Sequence, residues 1–427
     1  MIIKEVFTLN ENENLNTLLI TLKESDESFD RAQAKMDELS SLAITIDCTI
    51  VEQLIIPIRT YNAATLIGKG KVEEIRELIE EKEIDFVIFE SDLKPRVQRN
   101  LESIFDVAVI DRQEVILQIF SDRAATKEAV LQVALARQQY SLPRLERKWT
   151  HLSRQRGGMR GTRDAGETQL EIDRRLVLTK IANLKKELEK VVGQREIQRK
   201  SRVETSIATA AIVGYTNAGK SSLLNLLSES DVFVENKLFA TLDPTTRKIT
   251  LPKGSSLLIT DTVGFVSNLP HQLVEAFKST LEEAVYADII IHVVDAAHPD
   301  MLQCYETTKE VLQSLDSLDK PTALFINKSD AIYDMGSLNQ IVSENPNAIV
   351  GSVRKNKNID KLLDEIENLI ALDFVDLKFL FPHSKGDLVA LLRKEGLITT
   401  IDYVDNGTYI EAKVPPHLRS KLERYMV

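Results

Sequence analysis

Cysteine is almost missing from this chain: Cys48 and Cys304 are the two in 427 residues. So few, so far apart, exclude a disulfide framework and point to a reducing compartment, with both thiols read as small buried hydrophobes. Long apolar runs are missing too. No stretch approaches the ~20 residues that span a bilayer, and Met1 to Asn14 carries no charged-then-apolar leader pattern. A cytoplasmic protein without membrane association is expected. Internal repeats and long low-complexity tracts are absent. A cationic surplus is absent as well: net charge is −11, which argues against nonspecific affinity of the whole chain for nucleic acid. What remains is an ordinary globular composition, long enough for about two to four domains with their own cores. A monomer is expected.

The charge is unevenly spread. Residues 144–203 hold 17 Lys or Arg against 8 Asp or Glu, a surplus of nine that leaves the remainder at −20. A basic segment in an acidic chain suggests a local polyanion contact. Its first part, Arg147 to Arg163, is rich in arginine and glycine and holds Trp149, the only tryptophan. A solvated loop is the bland alternative; RNA contact is favoured because glycine, arginine and an aromatic occur together. Trp149 itself can equally pack between helix ends.

Strand-like and helix-like patterns alternate up to about Arg123, implying a small α/β domain with a largely parallel sheet. Thr17–Leu22, Ile44–Ile50, Phe86–Phe89 and Val107–Ile110 read as strands. Phe29–Leu42, Glu73–Glu81 and Lys94–Ile104 read as helices. Gly68-Lys69-Gly70-Lys71 has the wrong spacing for a phosphate loop and reads as a tight turn with solvated lysines. Glu128–Tyr140 reads as a helix ended by Pro143, and Glu167–Arg199 as one long helix with apolar residues near a 3.5-residue period. These two helices are expected to run antiparallel on either side of the basic tip. The expected domains are 1–123 (α/β), 124–203 (helical hairpin), 204–372 (a Ras-like phosphate-loop domain) and 373–427 (a small α+β domain with a hairpin turned at Asp405-Asn406-Gly407).

The chemistry centres on Gly214-Tyr215-Thr216-Asn217-Ala218-Gly219-Lys220-Ser221, followed by Ser222. The G-x-x-x-x-G-K-[ST] spacing lies between a β-branched run and a helical one. The glycines let successive N–H groups converge on phosphate oxygens. The helix starting near Lys220 adds its dipole. Lys220 offers a point charge between the outer phosphates, and the Ser221 hydroxyl is a candidate Mg²⁺ ligand.

Three further loops follow predicted strands. Asp261-Thr262-Val263-Gly264 offers a carboxylate for Mg²⁺ and a Gly264 N–H for a γ-phosphate. Asn327-Lys328-Ser329-Asp330 offers a carboxylate that can accept from N1–H and the exocyclic amine of guanine, donors that adenine lacks, with Asn327 and Lys328 bracing the loop. Ser352-Val353-Arg354 would bring backbone N–H groups near guanine O6. Together, in this order at strand carboxyl ends, they specify GTP or GDP over adenine nucleotides. The switch segment Phe239-Ala240-Thr241-Leu242-Asp243 leaves Thr241, Thr245 and Thr246 as alternatives for Mg²⁺. After Gly264, where Ras-like enzymes carry a water-orienting glutamine, stands Phe265. Slow intrinsic GTP hydrolysis, dependent on a partner or on reordering of the switch loops, is expected.

Over nearly its whole length the chain resembles the HflX family of ribosome-associated GTPases. The resemblance rests on the motifs above and on others outside them: Leu66 to Lys71 with Glu73-Glu74-Ile75, Gln98 to Glu102, Asp111-Arg112, Ile119-Phe120 with Arg123-Ala124, Leu142 to Leu145, Gly166 to Glu171 and Asp173-Arg174-Arg175. It selects Thr241 as the switch ligand, beside Ser221 and Asp261. With Lys220 and Gly264, Thr241 completes the candidates for acting on the reacting phosphate. The chain departs from the family at Asp164-Ala165, where Gly-Pro is usual, and at Val353, where alanine is usual. The resemblance implies binding to the large ribosomal subunit and its RNA through the tip Arg147–Arg163, and splitting or rescue of stalled ribosomes. A signalling switch acting through protein partners, and an RNA-binding protein with a structural nucleotide site, are the competing readings.

Overall fold

A computed structural model describes residues 15–145, 163–203, 207–228, 239, 244–252, 254–265, 284–371, 375–414, 418 and 422–427. They divide into two compact units, one drawn from Met1–Val192 and one from Gly193–Asn268 and Lys278–Val427.

The first unit is built on a parallel sheet in the order β2-β1-β3-β4: β1 (Asn16–Lys23), β2 (Thr49–Pro57), β3 (Phe86–Phe89) and β4 (Ala108–Asp111). Parallel strands need crossover helices, so the central strand β3 is buried at every residue, whereas the edge strand β2 is mostly half-buried and carries Glu52 and Gln53. Leu18, Ile20 and Leu22 of β1 share a core with Val72, Ile75 and Ile79 of α2 (Lys69–Glu81) and with Val97 and Leu101 of α3 (Pro95–Phe105). On the opposite face Thr21 meets Met36 of α1 (Phe29–Thr45), which Ser28 caps by accepting from the Arg31 N–H.

The region expected as a strand at Ile44–Ile50 is split in the structure. α1 runs on through Thr45, Asp47 turns the chain at φ 60°, and β2 begins at Thr49. The β-branched Ile44 and Thr45 mimic a strand locally, but Leu39, Leu42 and Ala43 are buried at helical spacing, and that packing decides. Gly68-Lys69-Gly70-Lys71 is also not a free turn. Gly68 caps α2, and the two lysines lie in its first turn, Lys71 pairing with Glu74 at 2.6 Å.

Two helices follow β4: α4 (Arg112–Arg123), started by Asp111, and α5 (Lys127–Ser141), which packs on it. The α-helix ends at Ser141, two residues before Pro143, which sits in a 3₁₀ turn over Leu142–Arg144. That turn delivers Arg144 to Asp111, whose carboxylate is wholly buried. Arg144 bonds it at 3.0 Å, the Tyr140 hydroxyl donates to it at 2.8 Å, and the Leu93 and Glu114 N–H groups at 3.1 Å each. The guanidinium also lies 3.6 Å over the Tyr140 ring. Beyond it, α6 (Arg163–Val203) starts four residues earlier than the periodicity predicts. None of its residues 171–193 is buried: Val177, Ile181, Leu184, Leu188 and Val191 form a half-buried stripe, while Leu176 is 63% exposed.

The second unit carries a six-stranded sheet in the order β10-β9-β8-β5-β7-β6. The strands are β5 (Ala208–Gly214), β6 (Thr245–Thr250), β7 (Ser256–Asp261), β8 (Ile289–Asp295), β9 (Thr322–Asn327) and β10 (Ile349–Val350). All pairs are parallel except β6 with β7. α7 (Lys220–Ser228) and α10 (Ile359–Ala371) share a core with one face; α8 (Met301–Ser314) and α9 (Met335–Glu344) share one with the other. β5 lies between β7 and β8, so the chain after it emerges where the strand order reverses, the usual ligand crevice of an open α/β sheet. The unit ends in an antiparallel sheet, β11 (Val375–Phe381), β13 (Gly407–Val414) and β12 (Leu397–Val404), with α11 (Gly386–Glu395) on its apolar face around Phe379, Phe381, Leu392 and Ile410.

Candidate functional site

The phosphate-loop residues form a tight cradle between β5 and α7. Gly219 has φ 97°, and a Cβ there would strike the Asn327 amide, so only glycine fits. Lys220 is 7% exposed, and its Nζ donates to the Tyr215 carbonyl at 2.8 Å. Burial pushes its ammonium down to about 8, against the opposing pull of Asp261. Ser221 Oγ donates to Asp261 Oδ2 at 2.6 Å, which sets two hard oxygen donors side by side, a donor set suited to Mg²⁺. Thr216 is 6% exposed, and its hydroxyl has no partner among the described residues.

The segment after β7 crosses this cradle. Thr262 Oγ1 donates to the Ile212 carbonyl at 2.7 Å, a bond that fixes the segment to β5. Gly264 lies so close that a Cβ would sit 2.8 Å from Thr216 Cα and 2.9 Å from Lys220 Nζ. Phe265 is 1% exposed and forms a bridge with Tyr215. The Thr216 N–H donates to the Phe265 carbonyl at 2.7 Å, and the Phe265 N–H to the Gly214 carbonyl at 3.1 Å.

The base-side loops are joined to the cradle by Asn327. Its Nδ2 donates to the Ala218 carbonyl at 2.9 Å, and its Oδ1 accepts the Val353 N–H at 2.9 Å. One side chain thus ties together three loops read from sequence as nucleotide-binding. Asp330 accepts from Ser352 Oγ at 2.6 Å, which holds its carboxyl below the ordinary range. Ser329 Oγ is buried without a partner among the described residues. Lys328, in a left-handed turn at φ 58°, reaches Asp295. Asn217 turns left-handed in its loop at φ 60°, and the Arg354 charge helps lower the Asp330 carboxyl. In the switch segment Phe239 is described and buried. Ala240, Thr241, Leu242 and Asp243 lie outside the described residues, as does most of the tip Arg147–Arg163 with Trp149.

A parallel-sheet cradle of this topology, with Lys220 and Ser221 at the start of a helix and acidic loops at neighbouring strand ends, is that of a phosphate-loop nucleotide-binding protein. Family models match along the chain: the N-terminal region of a GTP-binding GTPase over residues 33–121, its middle region over 123–202, and a 50S ribosome-binding GTPase over 209–328. The chain is 45% identical over 405 residues to GTPase HflX of Akkermansia muciniphila, covering 92% of this chain and 93% of that one. It is 52% identical over 343 residues to GTPase HflX of Treponema denticola, covering 79% and 88%. Against GTPase HflX of Lacrimispora saccharolytica identity is 41% over 418 residues, covering 98% and 97%. Among solved structures it is similar to a GTP-binding protein of Sulfolobus solfataricus in complex with GDP, at 26% identity and a TM-score of 0.45, covering 83% of this chain and 98% of that one. The chain belongs to the HflX family of GTPases. It is a guanine-nucleotide-binding enzyme that hydrolyses GTP.

Proposed function

We propose that this GTPase binds the large ribosomal subunit in its GTP state and splits, rescues or remodels stalled ribosomes, hydrolysing GTP slowly alone and faster on the ribosome. The observation that carries the reading is Phe265. It stands where a polar side chain would orient the attacking water, it has no polar side-chain atom, and its ring is buried against the cradle. A site arranged in this way holds GTP as a state marker until a partner rearranges the segment. The basic surplus of residues 144–203 supplies a surface for ribosomal RNA, and the resemblance of residues 209–328 to a 50S ribosome-binding GTPase names the kind of partner.

Within this reading Lys220 neutralises the outer phosphates, the Gly264 N–H contacts the γ-phosphate, and Thr241 closes over it. Asp330 accepts from the guanine N1–H and exocyclic amine, and the backbone of Ser352–Arg354 faces O6. Ser221, Asp261 and Thr241 are the candidates for holding Mg²⁺, which would spread the charge developing on the phosphates. The protein works as a monomer in the cytoplasm. Sedimentation of ribosomes with the full chain and GTP, GDP or a non-hydrolysable analogue tests the reading. Co-migration in the GTP-like state, with subunits separating, is expected. No association would favour a switch acting through protein partners, and association indifferent to nucleotide would favour a structural nucleotide site.

A further inference from the structure

The loop between β8 and α8, Asp295-Ala296-Ala297-His298, matches none of the nucleotide motifs. It nevertheless touches both ends of the candidate site. Asp295 closes β8, and its register partner is Asn327, the last residue of β9. Its two carboxylate oxygens are both engaged: Oδ2 holds Lys328 Nζ at 2.6 Å, and Oδ1 accepts the Ala297 N–H at 2.9 Å. The pair is not a surface ion pair, for the Asp295 side chain is 11% exposed. The Ala296 N–H donates to the Asn327 carbonyl at 2.9 Å and the Tyr333 N–H to the Ala296 carbonyl at 2.9 Å, so the loop is stitched to both sides of Asn327–Asp330. At its other end His298 meets the phosphate-loop residue Tyr215 edge to face, with centroids 5.8 Å apart.

We infer that Asp295 is a positioning residue for guanine-nucleotide binding, acting through Lys328. Lysine has a long flexible stem, and ordering it on ligand binding costs side-chain entropy. Lys328 leaves the backbone in a left-handed turn next to the base-reading loop, and its stem is free to sample solvent unless its ammonium is held. Asp295 holds it from the neighbouring strand, at a fixed strand end. The carboxylate also cancels the lysine charge, so the stem offers an apolar surface rather than a competing cation beside the base. The inference rests on Lys328 belonging to the base site, and the two claims are separable.

The experiment measures GDP affinity for the full chain and for D295N, K328A and the double variant D295N/K328A, with a fluorescent GDP derivative, alongside the thermal midpoint without nucleotide. D295N is isosteric, so it keeps the Ala297 contact through its amide oxygen. K328A alone tests the base-site reading: unchanged affinity overturns that reading. With K328A weakened, D295N is expected to weaken GDP by about tenfold, or ~1.4 kcal/mol, and the double variant to be no weaker than K328A. Multiplying effects in the double variant, or unchanged affinity in D295N, overturn the role of Asp295. A D295E variant that restores affinity where D295N lost it supports charge-dependent positioning. Equal loss in D295E and D295N at an unchanged thermal midpoint counts against it.

Discussion

Lys220 is expected to couple nucleotide binding to proton uptake above neutral pH. In the free protein its ammonium is desolvated in the cradle and its pKa is pushed from 10.5 down to about 8, with Asp261 pulling the other way. Phosphate oxygens placed around it add negative charge, favour the charged form and restore a high pKa. A recovery of about 2.5 units corresponds to ~3 kcal/mol of linkage between proton and nucleotide. The sign follows. If Lys220 holds the phosphates as proposed, binding needs its ammonium; the free lysine loses its proton as pH rises through about 8, so affinity is expected to fall above that pH. At pH 7 about nine tenths of the free protein is already protonated and binding takes up about a tenth of a proton. At pH 9 only about a tenth is protonated, uptake approaches one proton, and Kd is about tenfold weaker than at pH 7. Calorimetry of GDP binding in two buffers of different ionisation enthalpy reads the uptake directly. Guanine N1–H also ionises at alkaline pH, but it does so equally with a K220M protein, so the difference between the two proteins isolates the lysine. Uptake at pH 9 that persists undiminished in K220M would refute the reasoning, as would an affinity flat between pH 7 and 9.

Other consequences are simpler to state. His292 on β8 is buried against the Tyr305 ring, and burial together with Lys309 and Lys220 pushes it down to about 3. The folded state therefore binds fewer protons than the unfolded chain between about pH 3 and 6.5, and stability falls as pH drops through that window, by about 2 kcal/mol from pH 7 to 5; H292F should flatten this limb in denaturant titrations. Arg144→Ala leaves the wholly buried Asp111 carboxylate without its cation. It is expected to cost the first unit about 3–5 kcal/mol, read as a lowered denaturant midpoint, with the GDP affinity of the second unit unchanged. Asp330→Asn removes the carboxylate proposed to accept from guanine, so GDP should weaken by about 100-fold while xanthosine diphosphate gains, measured by competition against a fluorescent nucleotide.

What can be read in the sequence divides along a physical line. A phosphate cradle needs consecutive backbone N–H groups, so Gly214 to Ser221 appear as one uninterrupted string, and the strand on one side and helix on the other follow from hydropathy. Asn327 to Asp330 stands out for the same reason: the groups proposed to read the base lie on one turn. Sequence pattern and structure part where local preference and packing disagree. Ile44 and Thr45 favour a strand by their branching, and the burial of Leu39, Leu42 and Ala43 keeps them helical. Devices built across the chain leave hardly any local trace. Asp111 and Arg144 are 33 residues apart, and nothing in either neighbourhood predicts that one is buried on the other. Asp295 ends β8 and Lys328, likewise 33 residues away, directly follows the end of the adjacent parallel strand β9, and only the strand order β9-β8-β5 makes them neighbours. There was one available signal: Asp295 ends a strand, as Asp261 does, and Asn327-Lys328 close the next strand over. In an open parallel sheet every strand carboxyl end borders the same crevice. A charged residue at such an end is therefore a candidate for the site whether or not a motif surrounds it, and Asp295 meets that criterion before any contact is drawn.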